Sequence, residues 1–328
     1  MKFLYIILSV LLMFSASSCG KKNMAIDNGN HTEYQVVDDE GNVVKMPAKP
    51  RKILTTHYHL DTMVMGIVSK DRMMAITKSM ADPDLSCMNP KEIEDVPQYG
   101  INFLPLETIV RNKPDLIIAR SYVGKERLDT YREMGIPVYI SKMPNSIEEI
   151  QQRISGLAEV TGEVENGKRL NQKITQVLNE IKIKITQDKL YSKSALLVSK
   201  MNTNYGGKGC TFDDILIKAG LRNAAADVGI MNGQEISKEI WIKADPDFYI
   251  LSEGYEKKHK NDPDYKDEFI TDPALKNTRA VKNGGLLYLK NKHIYASNQN
   301  CVWAIKKLAN IAYGNVFPEE EEYFLKGY

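Results

Sequence analysis

LETIVRNKPDLII at 106–118 and KEIWIKADPDFYI at 238–250 share one plan. Each begins with a short amphipathic run that carries a glutamate at its second position, Glu107 or Glu239. Each then reaches Pro-Asp (Pro114-Asp115, Pro246-Asp247) just ahead of an apolar run. A proline cannot continue a helix, and unbroken apolar residues after it suit a strand covered on both faces. One helix-to-strand unit used twice in a chain of 328 residues points to two α/β halves.

The neighbouring sequence fits this. Val36-Val37 and Val43-Val44 flank Asp-Glu-Gly-Asn at 39–42, which reads as a hairpin. Ile53-Leu54 starts a buried strand, and LDTMVMGIV carries helical spacing from Leu60 to about Gly66. DLIIA and Ile136–Ile140 read as strands around the helix ERLDTYREMG, and Ser146 with Glu149 forms a capping box for the next helix. In the second half SALLVS and FYILS are strands, TFDDILIKAG is a helix, and LLYLK and HIYA follow as apolar runs that also read as strands. A helix from about Val302 to Tyr313 closes the second half. Alternation of this kind predicts mostly parallel sheets flanked by helices.

Between the halves the pattern changes. Leu170, Ile174, Val177, Leu178, Ile181 and Ile185 form one apolar stripe without a proline. The expected organisation is a first lobe over 34–160, a single linking helix over 161–189, and a second lobe over 190–328.

The chain begins MKFLYIILSVLLMFSASSC. A lysine, a short apolar run and small residues make the plan of a secretory signal over 1–18, too short to span a bilayer. Cys19 then stands where a bacterial lipobox places its lipidated cysteine, and the polar stretch over 19–33 reads as a tether. The expected product is exported and lipid-anchored, at the outer face of the cytoplasmic membrane or in the periplasm. A formal net charge of +2 with no basic cluster argues against nucleic acid as a partner. Cys87, Cys210 and Cys301 match no zinc pattern.

Two other stretches invite chemistry. TTHYHLDT at 55–62 alternates His57, His59 and Asp61, ligand types that divalent metals accept. A bare metal would need a third converging ligand, so His57 and His59 are only weak candidates, and Asp61 is expected to support the start of the helix. YGGKGCT at 205–211 fails as a phosphate loop, because Gly209 follows Lys208 where Ser or Thr is required. There is no Gly-x-Ser-x-Gly elbow and no His-Glu-x-x-His, so the chain is not read as an enzyme.

VVDDEGNVVKMPAKPRKIL, GINFLPLETIVRNKPDLIIA, GCTFDDILIKAGLRNAA and AVKNGGLLYLKNKHIYA, in that order, resemble the substrate-binding proteins of ABC importers for iron chelates and vitamin B12. The resemblance runs from about Tyr34 to Pro318. It implies two Rossmann-like lobes bridged by one long helix, and no resident cofactor. The ligand between the lobes would be a metal chelate, with iron-siderophore or haem ahead of cobalamin. The implied partner is a membrane permease dimer, with Glu107 and Glu239 docking onto its arginines and the binding protein itself a monomer. The helix macrodipole is the plainer reason for a glutamate in a first turn, but the twinned placement favours docking.

Ligand contacts are expected from loops after the strands: His57, Tyr58, His59, Tyr99, Arg120 and Tyr122 in the first lobe, Tyr205 and Tyr255 in the second. Tyrosines offer a flat face and a polar tip, and arginine a forked cation for an anionic ligand. Trp241 and Trp303 read as packing. The competing readings are a ligand-binding sensor or scaffold without transport, and an enzyme with an unfamiliar site.

Overall fold

The computed structural model describes residues 33–100, 104–199, 202–252 and 265–328. The expected signal segment, Cys19 and Tyr255 lie outside the described residues.

Strands β1 (Tyr34–Val37) and β2 (Val43–Met46) form the expected antiparallel hairpin. Val36, Val44 and Met46 face inward, whereas Val37 and Val43 face solvent, the two-residue period of a half-covered strand. The chain then runs β3 (Ile53–Thr55), α1 (Tyr58–Met65), β4 (Met73–Thr77), β5 (Gln98–Tyr99), α2 (Leu106–Asn112), β6 (Leu116–Ala119), α3 (Lys125–Glu133) and β7 (Val138–Ile140). These five strands make one sheet in the order β5-β4-β3-β6-β7, with every pair parallel. All residues of β3, β4, β6 and β7 are buried, which explains their unbroken apolar runs.

Helix α4 (Ile147–Thr161) is capped by Ser146, whose hydroxyl accepts the Glu149 amide at 3.1 Å. The return half of the box goes to the Asn145 amide instead of Ser146, at 3.1 Å from Glu149 Oε2. Helix α5 (Val164–Gln187) follows at once and is the linking helix. At its start Gly167 packs on α4 so closely that a Cβ there would lie 2.4 Å from Ala158 Cβ. Its stripe sits inside one apolar cluster that runs from Leu60, Met63 and Val64 through Leu170, Ile174 and Ile181 to Phe212, Ile215 and Leu308.

The second half holds β8 (Ser194–Val198), α6 (Thr211–Lys218), β9 (Arg222–Asn223), α7 (Ala224–Asp227), α8 (Lys238–Ala244), β10 (Phe248–Ser252), α9 (Tyr265–Thr271), α10 (Arg279–Lys282), β11 (Leu286–Leu289), α11 (Asn291–Ile294) and α12 (Cys301–Tyr313). Its sheet is ordered β11-β10-β8-β9, again with parallel pairs. HIYA is not a strand: Asn291–Ile294 is a turn of helix after β11, and Tyr295 follows it. The short apolar run satisfied either period, and the amide of Ile294 bonds back to the Lys290 carbonyl at 3.2 Å.

The repeat is the same object twice. Helices α2 and α8 each end on a left-handed residue, Lys113 (φ 44°) and Asp245 (φ 36°), and the proline that follows turns the chain into a strand. Asp115 then accepts the backbone amides of Arg51 and Lys52 at 2.9 and 3.0 Å, just ahead of β3. Asp247 accepts the amide and hydroxyl of Ser194 at 2.7 and 2.9 Å, at the start of β8. In each sheet the aspartate therefore sets the strand it opens against the parallel neighbour.

The chain does not stop at α12. From Asn315 to Tyr328 it has no regular structure, yet it returns across α5 to the first lobe. Arg169 Nε and Lys173 Nζ of α5 donate to the carbonyls of Gly327 and Lys326 at 2.7 and 2.6 Å. The Gly327 amide reaches the Gly66 carbonyl at 2.8 Å, and the Tyr328 hydroxyl reaches that of Met65 at 3.2 Å. Higher on the tail, Glu322 binds Lys292 Nζ at 2.6 Å and His293 Nε2 at 2.8 Å. Trp303, read as core, donates its indole N–H to Tyr323 at 2.9 Å.

Candidate functional site

In open parallel sheets the loops past the strand carboxyl ends gather ligand-binding groups. Here β3 and β6 are neighbours, so the residues after them meet. The Thr56 hydroxyl accepts the Arg120 amide at 3.2 Å, joining the two loops.

His57 is the N-cap of α1, which begins at Tyr58, two residues ahead of the expected start. It is extended (φ −160°), and its Nδ1 accepts the His59 amide at 3.2 Å. Burial, and then the nearby Arg120 charge, lower its pKa to about 4. The neutral ring therefore spends its Nδ1 lone pair on the helix and carries its proton on Nε2, as a donor. His59 is buried against it, ring centroids 5.0 Å apart, and burial holds its pKa well below the ordinary 6.5. Among the described residues its Nδ1 has no hydrogen-bond partner.

Asp61 stands in the first turn of α1, as expected, but its carboxylate caps no helix amide. Its carboxylate faces the sheet, where Oδ1 accepts the Thr55 hydroxyl and Oδ2 accepts the amide and hydroxyl of Thr77 at 2.9 and 2.6 Å. It ties the ends of β3 and β4 together, and burial raises its pKa to about 6. Three ligands do not converge. Among the described residues no group of three His, Cys, Asp or Glu side chains is placed to hold a metal ion.

Arg120 is 1 % exposed, the largest fully buried side chain described. Its Nη1 donates to the carbonyls of Ser141 and Lys142 at 3.1 and 2.7 Å. Its Nε and Nη2 are buried and have no partner among the described residues. Burial lowers its pKa from 12.5 to about 10, so it stays charged at neutral pH. A buried cation with two unused donors is costly unless something anionic meets it. Beside it Tyr122 is 64 % exposed, its ring edge-on to His57 at 6.1 Å between centroids.

Tyr58 crosses to the other lobe, where its hydroxyl donates to the Tyr295 carbonyl at 3.2 Å. The Tyr295 hydroxyl bonds Ser199 Oγ at 2.7 Å, and Tyr205 packs on the Tyr295 ring at 5.3 Å. Tyr205 therefore lies at the same seam. Tyr99 does not: its ring is in the first lobe's core, and its hydroxyl donates to the Thr55 carbonyl at 2.6 Å. As the last residue of a two-residue edge strand, it points inward where a loop residue would point out. Glu107 and Glu239 stand exposed in the first turns of α2 and α8, and the Ser237 hydroxyl donates to Glu239 at 2.6 Å. Trp241 packs as expected, stacked on Phe269 at 5.5 Å.

The structure thus brings His57, Tyr58, His59, Arg120 and Tyr122 together and sets Tyr205 opposite. Tyr295 and Ser199 were missed, Tyr295 because its segment read as a strand. The position of Tyr295 just past an apolar strand was the available signal. Surface hollows of about 440 and 390 Å³ lie elsewhere, around Tyr34 and Glu163 and around Tyr191 and Arg222. Neither is lined by His57, Tyr58, His59, Arg120, Tyr122 or Tyr205. Among the described residues no helix is long and apolar enough to cross a membrane.

Comparison with known proteins agrees with this fold. The family model described as "Periplasmic binding protein" matches residues 53–293. The Fe(3+)-citrate-binding protein YfmC of Bacillus subtilis is 23 % identical over 289 residues, covering 85 % of each chain. The iron-uptake system-binding protein of the same organism is 24 % identical over 84 % of this chain and 87 % of that one. Among solved structures, the periplasmic heme-binding protein RhuT from Roseiflexus sp. RS-1 superposes with a TM-score of 0.67 at 20 % identity, over 81 % of this chain and 99 % of that one. A periplasmic binding protein from Veillonella parvula gives 0.69 at 18 %, over 87 % and 99 %. By their descriptions the family and these relatives are binding proteins. The chain belongs to the periplasmic binding protein family.

Proposed function

We propose that this chain is the substrate-binding subunit of an ABC importer and that it captures an anionic iron chelate between its two lobes, 34–160 and 190–328. The observation that carries the reading is the Arg120 guanidinium, buried and charged with Nε and Nη2 unused. A carboxylate takes two parallel N–H donors from such a fork, and the charge-assisted pair is stronger when dry. His57, with Nε2–H as donor, and the Tyr122 phenol would share the same ligand. Citrate-type chelates fit this chemistry, in keeping with the relative named for ferric citrate. Haem is the second reading: its propionates are also anionic, and the exposed Tyr122 beside His57 is a phenol free to reach iron. Cobalamin carries no carboxylate and would meet Arg120 only through its phosphodiester or neutral amide oxygens.

Docking on a permease through Glu107 and Glu239 fits their exposure on matching helices, where Leu106 and Val110 add an apolar flank on α2. Anchoring through lipid on Cys19 completes the reading. A sensor or scaffold would bind the same ligand without needing the two glutamates.

The test is titration of the purified protein with ferric citrate, followed by tyrosine and tryptophan fluorescence, and with haem, followed by its Soret band. Saturable quenching by ferric citrate is expected. A Soret shift without a citrate response would move the assignment to haem, and no response to either would end it.

A further inference from the structure

Arg120 is a long side chain with four torsions, and nothing in its own strand fixes where its guanidinium lies. Two backbone carbonyls do, those of Ser141 and Lys142 just past β7. Yet β7 is an edge strand, so its outer side would be free to fray unless something pairs with it.

The turn of the first hairpin supplies that pairing. The Asp39 amide donates to the Ile140 carbonyl at 3.0 Å, and the Ile140 amide donates to Asp38 Oδ2 at 3.3 Å. Asp39 Oδ2 then accepts the Lys142 amide at 2.8 Å, directly at one of the two carbonyl-bearing residues. Asp39 Oδ1 is held in turn by Arg153 Nη1 of α4 at 3.0 Å. Asp38 is occupied with closing its own turn, through the amides of Glu40 and Asn42 at 2.9 and 2.8 Å.

We propose that Asp39, fixed by Arg153, is a positioning residue for the ligand-binding guanidinium of Arg120, acting through the Ser141–Lys142 backbone. The inference rests on the role given to Arg120 above. The chemistry favours this indirect route. A carboxylate bonded straight to Arg120 would satisfy the donors and cancel the charge that an anionic ligand needs. Carbonyls orient the guanidinium without neutralising it, and the aspartate stays one residue removed. The hairpin also lies outside residues 53–293, so this control comes from a segment that the family model does not cover.

A double-mutant cycle tests it, with ferric citrate as probe. Asp39→Ala is expected to weaken binding about tenfold, the scale of one misplaced charge-assisted hydrogen bond. Asp39→Asn keeps an oxygen for the Lys142 amide and should recover most of that loss, which also guards against a folding defect in the alanine variant. In an Arg120→Gln background Asp39→Ala should cost nothing further. Equal losses with and without Arg120, or no loss in either aspartate variant, would overturn the positioning role. If Arg120→Gln alone leaves ferric citrate binding intact, the anchor itself is refuted and this proposal falls with it.

Discussion

Asp115 and Asp247 hold equivalent places in the two lobes, each carboxylate fastening the chain where the neighbouring strand begins. Their surroundings differ. The bonds of Asp115 are exposed, whereas those of Asp247 are partly buried and include a hydroxyl. Water replaces a lost acceptor easily at a surface and poorly inside.

Asp247→Ala should therefore destabilise the protein by about 2–3 kcal/mol and Asp115→Ala by about 1 kcal/mol. Urea denaturation measures both. Equal costs would mean that exposure does not govern these bonds.

This pair also marks how far the sequence could be read. The Pro-Asp punctuation and the unbroken apolar strands of both halves depend on local steric rules and on burial of both faces, so they survive in one dimension. Helix α1 and Asp61 were harder. A histidine that caps a helix and an aspartate that staples two strands are ordinary polar residues until the third dimension brings Thr55 and Thr77 to them. Arg120 was legible as a residue after a strand, but not as a buried cation, because its burial comes from distant segments. The tail after α12, with Pro318 and the run Glu319–Glu322, carries no periodicity and gave no sign that it would be bound.

Arg120→Met should reduce affinity for ferric citrate by about 10- to 100-fold, the loss of one or two charge-assisted bonds. The same change removes an unpaired buried charge, so the unliganded protein should melt at a higher temperature. Calorimetry with and without ligand checks both halves. A lower melting temperature together with intact binding would contradict the assignment.

Asp61 and His59 pull stability in opposite directions with pH. The folded pKa of Asp61 is raised from 3.8 to about 6, so between those values the unfolded chain gives up a proton that the folded chain keeps. Stability is lost as pH rises through this window, by about 3 kcal/mol once complete. His59 has its folded pKa lowered from 6.5, so its share is lost as pH falls below 6.5. Asp61→Asn should remove the first effect and make stability climb more steeply from pH 4 to 6. Denaturation midpoints at several pH values would show it, and a curve parallel to that of the native protein would be the contrary result.

Glu322→Gln addresses the tail. Burial works to raise the Glu322 pKa, but the hydrogen bonds and charges of His293 and Lys292 outweigh it and hold the pKa at about 2 against an ordinary 4.5. A depressed carboxylate adds stability that is present above 4.5 and lost as pH falls toward 2. The variant should be less stable at neutral pH and flatter in acid. Amide exchange at Gly327 and Tyr328 would quicken with it.

The returning tail also changes what can be exchanged between relatives. A chimera of two such proteins is naturally cut once, inside α5, on the view that one helix is the only bridge. Here that cut would leave Gly66, Met65 and Glu92 of one parent facing a C-terminal segment from the other. Lobes of this protein are interchangeable only in company with their last few residues, so a working hybrid needs two junctions and not one.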